Sequence, residues 1–174
     1  MNIRTELSRL HINSLKYWKG SIMKNNSKVI KCSDYQWANV PREEYKDDTS
    51  CYKGVHRYSL LGEKDDEQQL NFQTRYFEVA PGGYTSLEFH RHPHSVVIIK
   101  GRGSVILGDD VYGLGLHDVV YISPETLHQF QADKDEPLGF LCMVDRYRDR
   151  PTLPDNEELN NMVTSDRVRR KIKR

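Results

Sequence analysis

With 174 residues, the chain is long enough for one domain with a sizeable buried core and flanking extensions. Its 26 lysines and arginines nearly balance its 25 acidic residues, and the net charge of +1 argues against a general nucleic-acid-binding protein. No run approaches the length of a membrane span, and the N-terminus lacks the apolar stretch of a secretory signal. The three cysteines, Cys32, Cys51 and Cys142, do not form the pattern of a disulfide framework, so we expect a cytoplasmic protein.

Residues 1 to about 24 carry apolar side chains at spacings of three and four, which is typical of an amphipathic helix. These side chains are Ile3, Leu7, Leu10, Leu15, Trp18 and Ile22. We therefore predict a helical N-terminal extension over residues 1–30 that covers the domain or a dimer partner. Binding to a membrane surface is the alternative for this helix.

After the polar, turn-rich segment 25–53, the sequence from Gly54 to Val144 has the pattern of β-strands. The strand-like runs are VHRYSLL, TRYFEVA, YTSLEFH, SVVIIK, GSVILG, DVVYIS, LHQFQA and LGFLCMV. The turn signals between them include PGG, KGRG, GDD, SPE and DKDEP. Eight short strands without intervening helices predict an all-β fold, a single closed barrel or jelly roll. We place the barrel with its flanking segments at 31–154 and its core at 54–145.

The C-terminal segment 155–174 is predicted to be a short helix followed by a basic tail. Asp155 is a candidate N-cap for a helix over residues 155–163. From Asp166 onward there are six basic residues and one acidic residue, a net +5, which leaves −4 for the rest of the chain. We expect the tail to be solvated and dispensable, so a chain ending near Thr164 should retain metal and turnover.

The residues that carry the clearest chemistry are one acidic residue and three histidines in a short alternating run. Glu88, His90, His92 and His94 stand two apart in GYTSLEFHRHPHSVV, and His128 follows in YISPETLHQF. Because successive side chains of a strand point to opposite faces, residues 88 and 90 share a face. Imidazole nitrogens and a carboxylate oxygen that converge make a site for a divalent transition metal. We predict Glu88, His90, His94 and His128 as its ligands.

The role of His92 depends on where the chain bends. Pro93 cannot donate a hydrogen bond to a sheet and suits a turn, so we predict a tight bend from Arg91 to Pro93. His92 would then lie beside the metal and act as an acid–base residue. Two alternatives stay open: His92 is a solvated loop residue, or it is a ligand in place of His94.

These spacings resemble those of the cupin superfamily. Its first motif has a His-x-His pair, a glutamate four residues later and a glycine after seven more; its second runs from an acidic turn through a proline to one histidine. Here the positions are filled by Glu88, His90, His94 and Gly101, then by Asp118, Pro124 and His128. The residue types of the first motif are exchanged, with the glutamate first and a histidine last. The resemblance implies a jelly-roll barrel over about residues 72–145.

The resemblance also implies one bound divalent transition metal. Manganese stands first, with iron, nickel, cobalt or zinc as alternatives, because affinity alone does not choose among them. Three imidazoles and one carboxylate would leave two positions of a six-coordinate metal open for water or substrate. The other interpretation is a cupin whose site is empty or filled by a ligand.

A narrower group of small cupins is similar over about residues 34–154. The shared stretches include KGVHRYSLLG, RYFEVAPGGYTSLEFHRHPH, DVVYISPETLHQF and DRYRDRPTLP. This group contains cupins like 1-methylthio-D-xylulose 5-phosphate methylsulfurylase and cupins like quercetin dioxygenase. The resemblance implies a methionine-salvage reaction, in which a thiol such as glutathione removes the methylthio group from a methylthio-sugar phosphate.

Such a substrate needs cationic donors for its phosphate. Arg57, Arg75 and Lys46 flank the β core and are our candidates for substrate binding. Cys142 lies in the apolar run LGFLCMV. It is either a buried free cysteine or, if it faces the barrel lumen, a thiol at the site of group transfer.

The leading hypothesis is therefore a metal-dependent lyase, transferase or isomerase-type enzyme that acts on a small oxygenated metabolite, with possible use of glutathione as co-substrate. An iron or manganese dioxygenase is the second enzyme hypothesis. A cupin that binds a small molecule without catalysis is the third. We expect a homodimer, no nucleic-acid partner and no association with a membrane.

Overall fold

The computed structural model describes residues 25–174. The helix predicted over residues 1 to about 24 lies outside this range. Residues 25–30 of the predicted helical extension have no helix, so that part of the prediction is wrong. Within the described residues the α-helices are short and C-terminal, and none is long and apolar enough to cross a membrane.

The described part of the chain contains eleven strands. Three are only two residues long: β1 (Cys32–Ser33), β2 (Gln36–Trp37) and β3 (Glu43–Glu44). The longer strands are β4 (Lys53–Leu61), β5 (Phe72–Tyr84), β6 (His94–Gly101), β7 (Gly103–Leu107), β8 (Asp110–Leu114), β9 (Val119–Ile122), β10 (His128–Ala132) and β11 (Leu138–Asp145). Two 3-10 turns, Thr49–Cys51 and Asp65–Glu67, flank β4. The predicted all-β architecture is confirmed.

One antiparallel sheet contains all the strands except β1 and β2, in the order β8-β7-β10-β5-β11-β6-β9, with β4 on β5 and β3 on β4. In this curled sheet, Phe140 of β11 pairs with Phe77 of β5 on one side and with Ile98 of β6 on the other, and β11 has a register shift between Gly139 and Phe140. Its concave face buries an apolar core that includes these three residues, Val79, Val96, Val105, Ile122 and Leu138. The curled sheet forms the barrel whose open end holds the candidate site.

Three local features differ from the sequence-based expectation. The run YTSLEFH forms no strand of its own, because β5 ends at Tyr84 and only Glu88 and Phe89 make isolated bridges before β6. The PGG sequence is not a turn between strands, because β5 continues through Pro81–Gly83. A Cβ atom at Gly83 would lie 2.4 Å from the carbonyl oxygen of Lys53, so glycine permits this close approach of β5 to β4. In addition, β8 was not predicted, because its sequence DVYGL follows the GDD turn signal without regular alternation.

The C-terminal segment forms two capped helices, α1 (Asn156–Met162) and α2 (Asp166–Lys171). The side chain of Asp155 accepts a hydrogen bond from the backbone N–H of Glu158, which confirms the predicted N-cap of α1. Ser165 caps α2 through the N–H of Val168.

The expectation of a solvated basic tail is wrong. Val163 and Val168 are fully buried in a second apolar cluster with Leu87, Ile106 and Leu127. Burial of such a side chain contributes roughly 1.5–3 kcal/mol. The backbone carbonyl oxygen of Lys173 also accepts a 2.8 Å hydrogen bond from the Gln129 amide. The basic side chains therefore project from a segment that is docked on the barrel.

Candidate metal centre

The backbone brings the candidate ligands together from two parts of the chain. Glu88 and His128 form an isolated β-bridge, with backbone N–O distances of 3.1 and 2.9 Å. Immediately after Glu88 the chain reaches His90, bends at Arg91 and His92, and enters β6 at His94. The predicted bend is therefore present, and it turns both flanking histidines toward His128.

Three imidazoles converge. One ligand atom each from His90, His94 and His128 lies within 4.8 Å of the other two. Nδ1 of His90 contacts the carbonyl oxygen of His92 at 2.7 Å, and Nδ1 of His128 contacts that of Thr126 at 2.9 Å. Since a carbonyl oxygen only accepts, each Nδ1 donates, and the lone pair of a neutral ring remains on Nε2. These hydrogen bonds orient His90 and His128 for binding through Nε2.

The free nitrogens are suited to a metal ion. Nε2 of His90 and Nε2 of His94 are buried and have no hydrogen-bond partner among residues 25–174. A buried polar atom without a partner is costly, and a metal ion would remove that cost. Burial lowers the pKa of His94 and of His128, which keeps both rings neutral at pH 7. Neutral imidazole is the form that binds a metal.

Glu88 lies beside the three imidazoles but has other partners as well. One carboxylate oxygen accepts hydrogen bonds from Lys46 and Ser86, while the other lies 3.9 Å from Nε2 of His128. Burial raises the pKa of Glu88, but the Lys46 charge and the hydrogen bonds from Lys46 and Ser86 outweigh it and lower the pKa overall. The Ser86 hydroxyl also lies 3.0 Å from that of Tyr45. Glu88 is therefore an ionised carboxylate with one oxygen that faces the centre.

His92 is held by Asp149, a residue outside the sequence motifs. Nδ1 of His92 lies 2.8 Å from Oδ1 of Asp149, and Oδ2 of Asp149 accepts a 3.0 Å hydrogen bond from the backbone N–H of Arg91. Burial lowers the pKa of His92, and Asp149 opposes this effect. The His92 ring is buried but borders the central cavity. Asp149 fixes the ring so that Nε2 is left for contact with a bound molecule.

The centre opens into a cavity of about 190 Å³. Aromatic rings form part of its wall, including Tyr45, Phe77, Phe130 and Phe140. All four residues predicted to bind substrate border this cavity: Lys46, Arg57, Arg75 and Cys142. Cys142 is buried, with Sγ 3.6 Å from Nδ1 of His94 and 3.4 Å from Nη2 of Arg75. Its thiol therefore faces the barrel lumen, and burial raises its pKa.

Arg148 borders the cavity, and Asp149 holds His92 beside it. Neither was among the predicted site residues. Both lie in DRYRDRP, a segment that begins at the last residue of β11. The dense alternation of arginine and aspartate next to the final core strand was the available signal. Charged loop residues positioned by a rigid scaffold commonly carry function.

The comparisons with known proteins agree with this architecture. The family model described as a cupin domain, Cupin_2, matches residues 75–144. A curated relative from Rhodospirillum rubrum, 1-methylthio-D-xylulose 5-phosphate methylsulfurylase, is 41% identical over 137 residues, which cover 78% of this chain and 85% of the relative.

Solved structures show the same similarity. A cupin 2 conserved barrel domain protein from Rhodopseudomonas palustris superposes with a TM-score of 0.76 at 34% identity, covering 85% of this chain and 100% of that protein. A cupin 2 domain-containing protein from Halorhodospira halophila has a TM-score of 0.67 at 42% identity, and the match covers 84% of this chain and 96% of that protein. Together with the matched domain and the three converging imidazoles, these similarities show that the chain belongs to the cupin superfamily.

Proposed function

We propose that this protein is a metal-dependent enzyme that uses a thiol to remove the methylthio group from a methylthio-sugar phosphate. The observation that carries the proposal is the set of three converging imidazoles, His90, His94 and His128, of which His94 and His128 line a cavity that also has cationic groups. The R. rubrum relative named as a methylsulfurylase supports the choice of substrate.

The three imidazoles would hold one divalent transition metal, with the facing oxygen of Glu88 as the fourth ligand. Manganese remains our first expectation, and iron, nickel, cobalt and zinc remain alternatives. When bound, such a metal supplies a Lewis acid that polarises the carbonyl oxygen of a ketose. Lys46 and Ser86 orient the Glu88 carboxylate through the other oxygen.

The reaction balances without an external oxidant. A thiolate attacks the methylthio sulfur, an S–S bond forms, and the bond between that sulfur and the sugar carbon breaks. The thiol and the methylthio group leave as a mixed disulfide, while the sugar carbon keeps the electron pair as an enolate. A proton then reaches that carbon and gives a deoxyxylulose phosphate. The thiol is oxidised, and the sugar carbon is reduced.

His92 is our candidate for moving the proton. Its ring borders the cavity beside the three imidazoles, and its Nδ1 is held by Asp149, so Nε2 is the nitrogen available to substrate. A histidine oriented by a carboxylate is a common arrangement for general acid–base catalysis. The aromatic wall formed by Phe77, Phe130 and Phe140 would shield the enolate from water.

The test is an assay of the metal-loaded full chain with 1-methylthio-D-xylulose 5-phosphate and glutathione. Mass spectrometry should detect a deoxyxylulose phosphate and the methylthio–glutathione disulfide in equal amounts. Arg102→Gln, which changes a surface arginine paired with Glu136, is the matched control and should react like the unmodified protein. Absence of both products, or consumption of oxygen by the same mixture, would contradict the proposal, and oxygen consumption would favour the dioxygenase hypothesis.

A further inference from the structure

Four basic side chains border the cavity. They fall into two classes: those that form an ion pair with a carboxylate of the protein and those that do not. Lys46 forms an ion pair with Glu88. Arg57 donates to Glu43 from Nε at 2.9 Å and from Nη2 at 2.7 Å. By contrast, neither of the other two, Arg75 and Arg148, has a carboxylate oxygen within 4.0 Å among residues 25–174. The charge of the first class is already compensated, but that of the second class is not.

Arg75 is an unusual buried cation. Only 9% of its surface is exposed, and its Nε atom is buried without a hydrogen-bond partner among the described residues. Its guanidinium lies 5.1 Å from the centre of the Phe77 ring, and Nη2 contacts the Cys142 sulfur at 3.4 Å. A buried charge without a charged partner is destabilising, and an anion bound in the cavity would compensate it.

Arg148 approaches the same cavity from the loop after β11. Its Nη1 donates to the Gln73 side chain at 2.7 Å and to the backbone carbonyl of Asp145 at 3.1 Å. Both acceptors are uncharged and fix one edge of the guanidinium. Burial and the nearby charge of Arg75 lower the pKa of Arg148 to about 10, which still leaves it protonated at pH 7. Two guanidinium groups thus border one cavity, and neither has a carboxylate oxygen within 4.0 Å among the described residues.

We propose that Arg75 and Arg148 form an oxyanion subsite that binds the phosphate of a phosphate monoester. Planar guanidinium groups bind phosphate oxygens in pairs, and a dianion compensates two positive charges that otherwise repel each other. This inference rests on the proposed function and deepens it, because it assigns the phosphate end of the substrate to two residues. It also replaces Lys46 and Arg57 in that role.

The subsite and the metal centre are joined by short contacts. The Cys142 sulfur touches both Nη2 of Arg75 and Nδ1 of His94, at 3.4 and 3.6 Å. One small molecule can therefore place its phosphate against the arginines and its oxygenated carbon chain against His94 and His128, which border the same cavity. This arrangement selects phosphorylated metabolites over neutral ones of the same length.

The test measures binding of inorganic phosphate to the full chain as purified, by isothermal titration calorimetry at constant ionic strength. Arg75→Gln and Arg148→Gln should each weaken phosphate binding by roughly 10- to 100-fold, because each removes a charge-assisted contact. Arg102→Gln, on the surface, should bind like the unmodified protein. Metal content is measured in every variant, since unchanged metal shows that the loss does not arise at the imidazoles. Acetate is the competitor that separates phosphate from anions in general.

Unchanged phosphate affinity in Arg148→Gln would overturn the subsite, even if Arg75→Gln fails to fold. Competition by acetate as strong as that by phosphate would overturn the assignment to phosphate monoesters. These results are distinguishable from failure of the proposed function. A protein that binds phosphate through the two arginines but releases no methylthio group retains the subsite and loses the reaction. If Arg148→Gln turns over substrate with an unchanged KM, the proposed reaction is supported and the phosphate subsite is contradicted.

Discussion

The imidazole rings of His90 and His92 stack, with centroids 3.7 Å apart and planes within 8° of parallel. Nδ1 of His90 also contacts the carbonyl oxygen of His92 at 2.7 Å. His92 therefore supports His90 through both its ring and its backbone, although it is not one of the three imidazoles that converge. The stacking separates their roles: Nε2 of His90 faces the centre, and His92 is held by Asp149 at its edge.

We predict that His92→Gln lowers turnover more than it lowers metal content. The backbone carbonyl that orients His90 remains in this variant, while the proposed acid–base group is lost. A general acid or base contributes typically ~10²–10⁴-fold to rate. The comparison is His94→Gln, which removes a converging nitrogen and should lose metal. Both variants are measured by elemental analysis and by turnover.

If His92→Gln empties the site and His94→Gln does not, His92 is a ligand in place of His94. Unchanged rate and metal content in His92→Gln would instead show that His92 is a loop residue without a chemical role.

Asp149→Asn should lower turnover by ~10- to 100-fold while the metal remains bound. The carboxylate accepts from His92 with one oxygen and from the Arg91 N–H with the other. An amide has only one oxygen, so one of these donors would lose its acceptor. Arg91→Ala is the comparison: it keeps the backbone N–H and removes an exposed side chain whose Nε lies 3.8 Å from Oδ2 of Asp149, so it measures what that ion pair contributes apart from the two hydrogen bonds. Equal rates for Asp149→Asn and the unmodified protein would show that His92 needs no orienting partner.

The metal centre was accessible to sequence reasoning because its spacing matches the two cupin motifs, although Glu88 lies in an isolated bridge and not in a regular strand. Glu88 and His90 stand two apart, Pro93 marks the bend, and His128 ends a second motif, so local rules place these side chains together. Their assignment as ligands stays a prediction that metal analysis must test. Asp149 could not be found in this way, because its contact with His92 spans 57 residues and belongs to no motif.

The docking of the C-terminal segment was missed for a different reason. Val163 and Val168 are five residues apart on either side of a helix break, so no helical apolar period connects them. The sequence of this segment is mostly charged, which indicated a solvated tail. Its position on the barrel is instead determined by burial of the two valines and by backbone contacts to the Gln129 side chain. Tertiary packing of this kind is not encoded in a local pattern.

Val168→Ala should lower the free energy of unfolding by ~1–3 kcal/mol, because it leaves a cavity in the cluster beneath α2. Thermal melting followed by circular dichroism measures the effect. Arg167→Ala is the matched control, since Arg167 is the exposed preceding residue on the same helix. Equal melting temperatures for Val168→Ala and Arg167→Ala would contradict docking of the segment and restore the solvated tail.

Asp109 should make this docking depend on pH. The Thr164 hydroxyl and the backbone N–H of Ser165 donate to its carboxylate and lower its pKa from the ordinary value of 3.8. A carboxyl with a lower pKa in the folded state stabilises above the unfolded pKa and loses that effect as pH falls through the folded pKa. Asp109→Asn should therefore melt below the unmodified protein at pH 7, with the difference shrinking below pH 3.8.

Melting curves between pH 7 and pH 3 measure this difference. Asp110→Asn, at the adjacent exposed position, is the control. A constant difference across that range for Asp109→Asn would show that the carboxylate charge is not what holds the segment.

The most direct test of a metal centre built from His90, His94 and His128 is the metal content of the purified full chain and of His128→Ala. Elemental analysis should find one divalent transition metal per chain in the unmodified protein. His128→Ala should lose most of it while its circular dichroism spectrum remains that of a folded β protein. His117→Ala changes an exposed histidine and should retain the metal. Unchanged metal stoichiometry in His128→Ala would contradict the assignment of this centre.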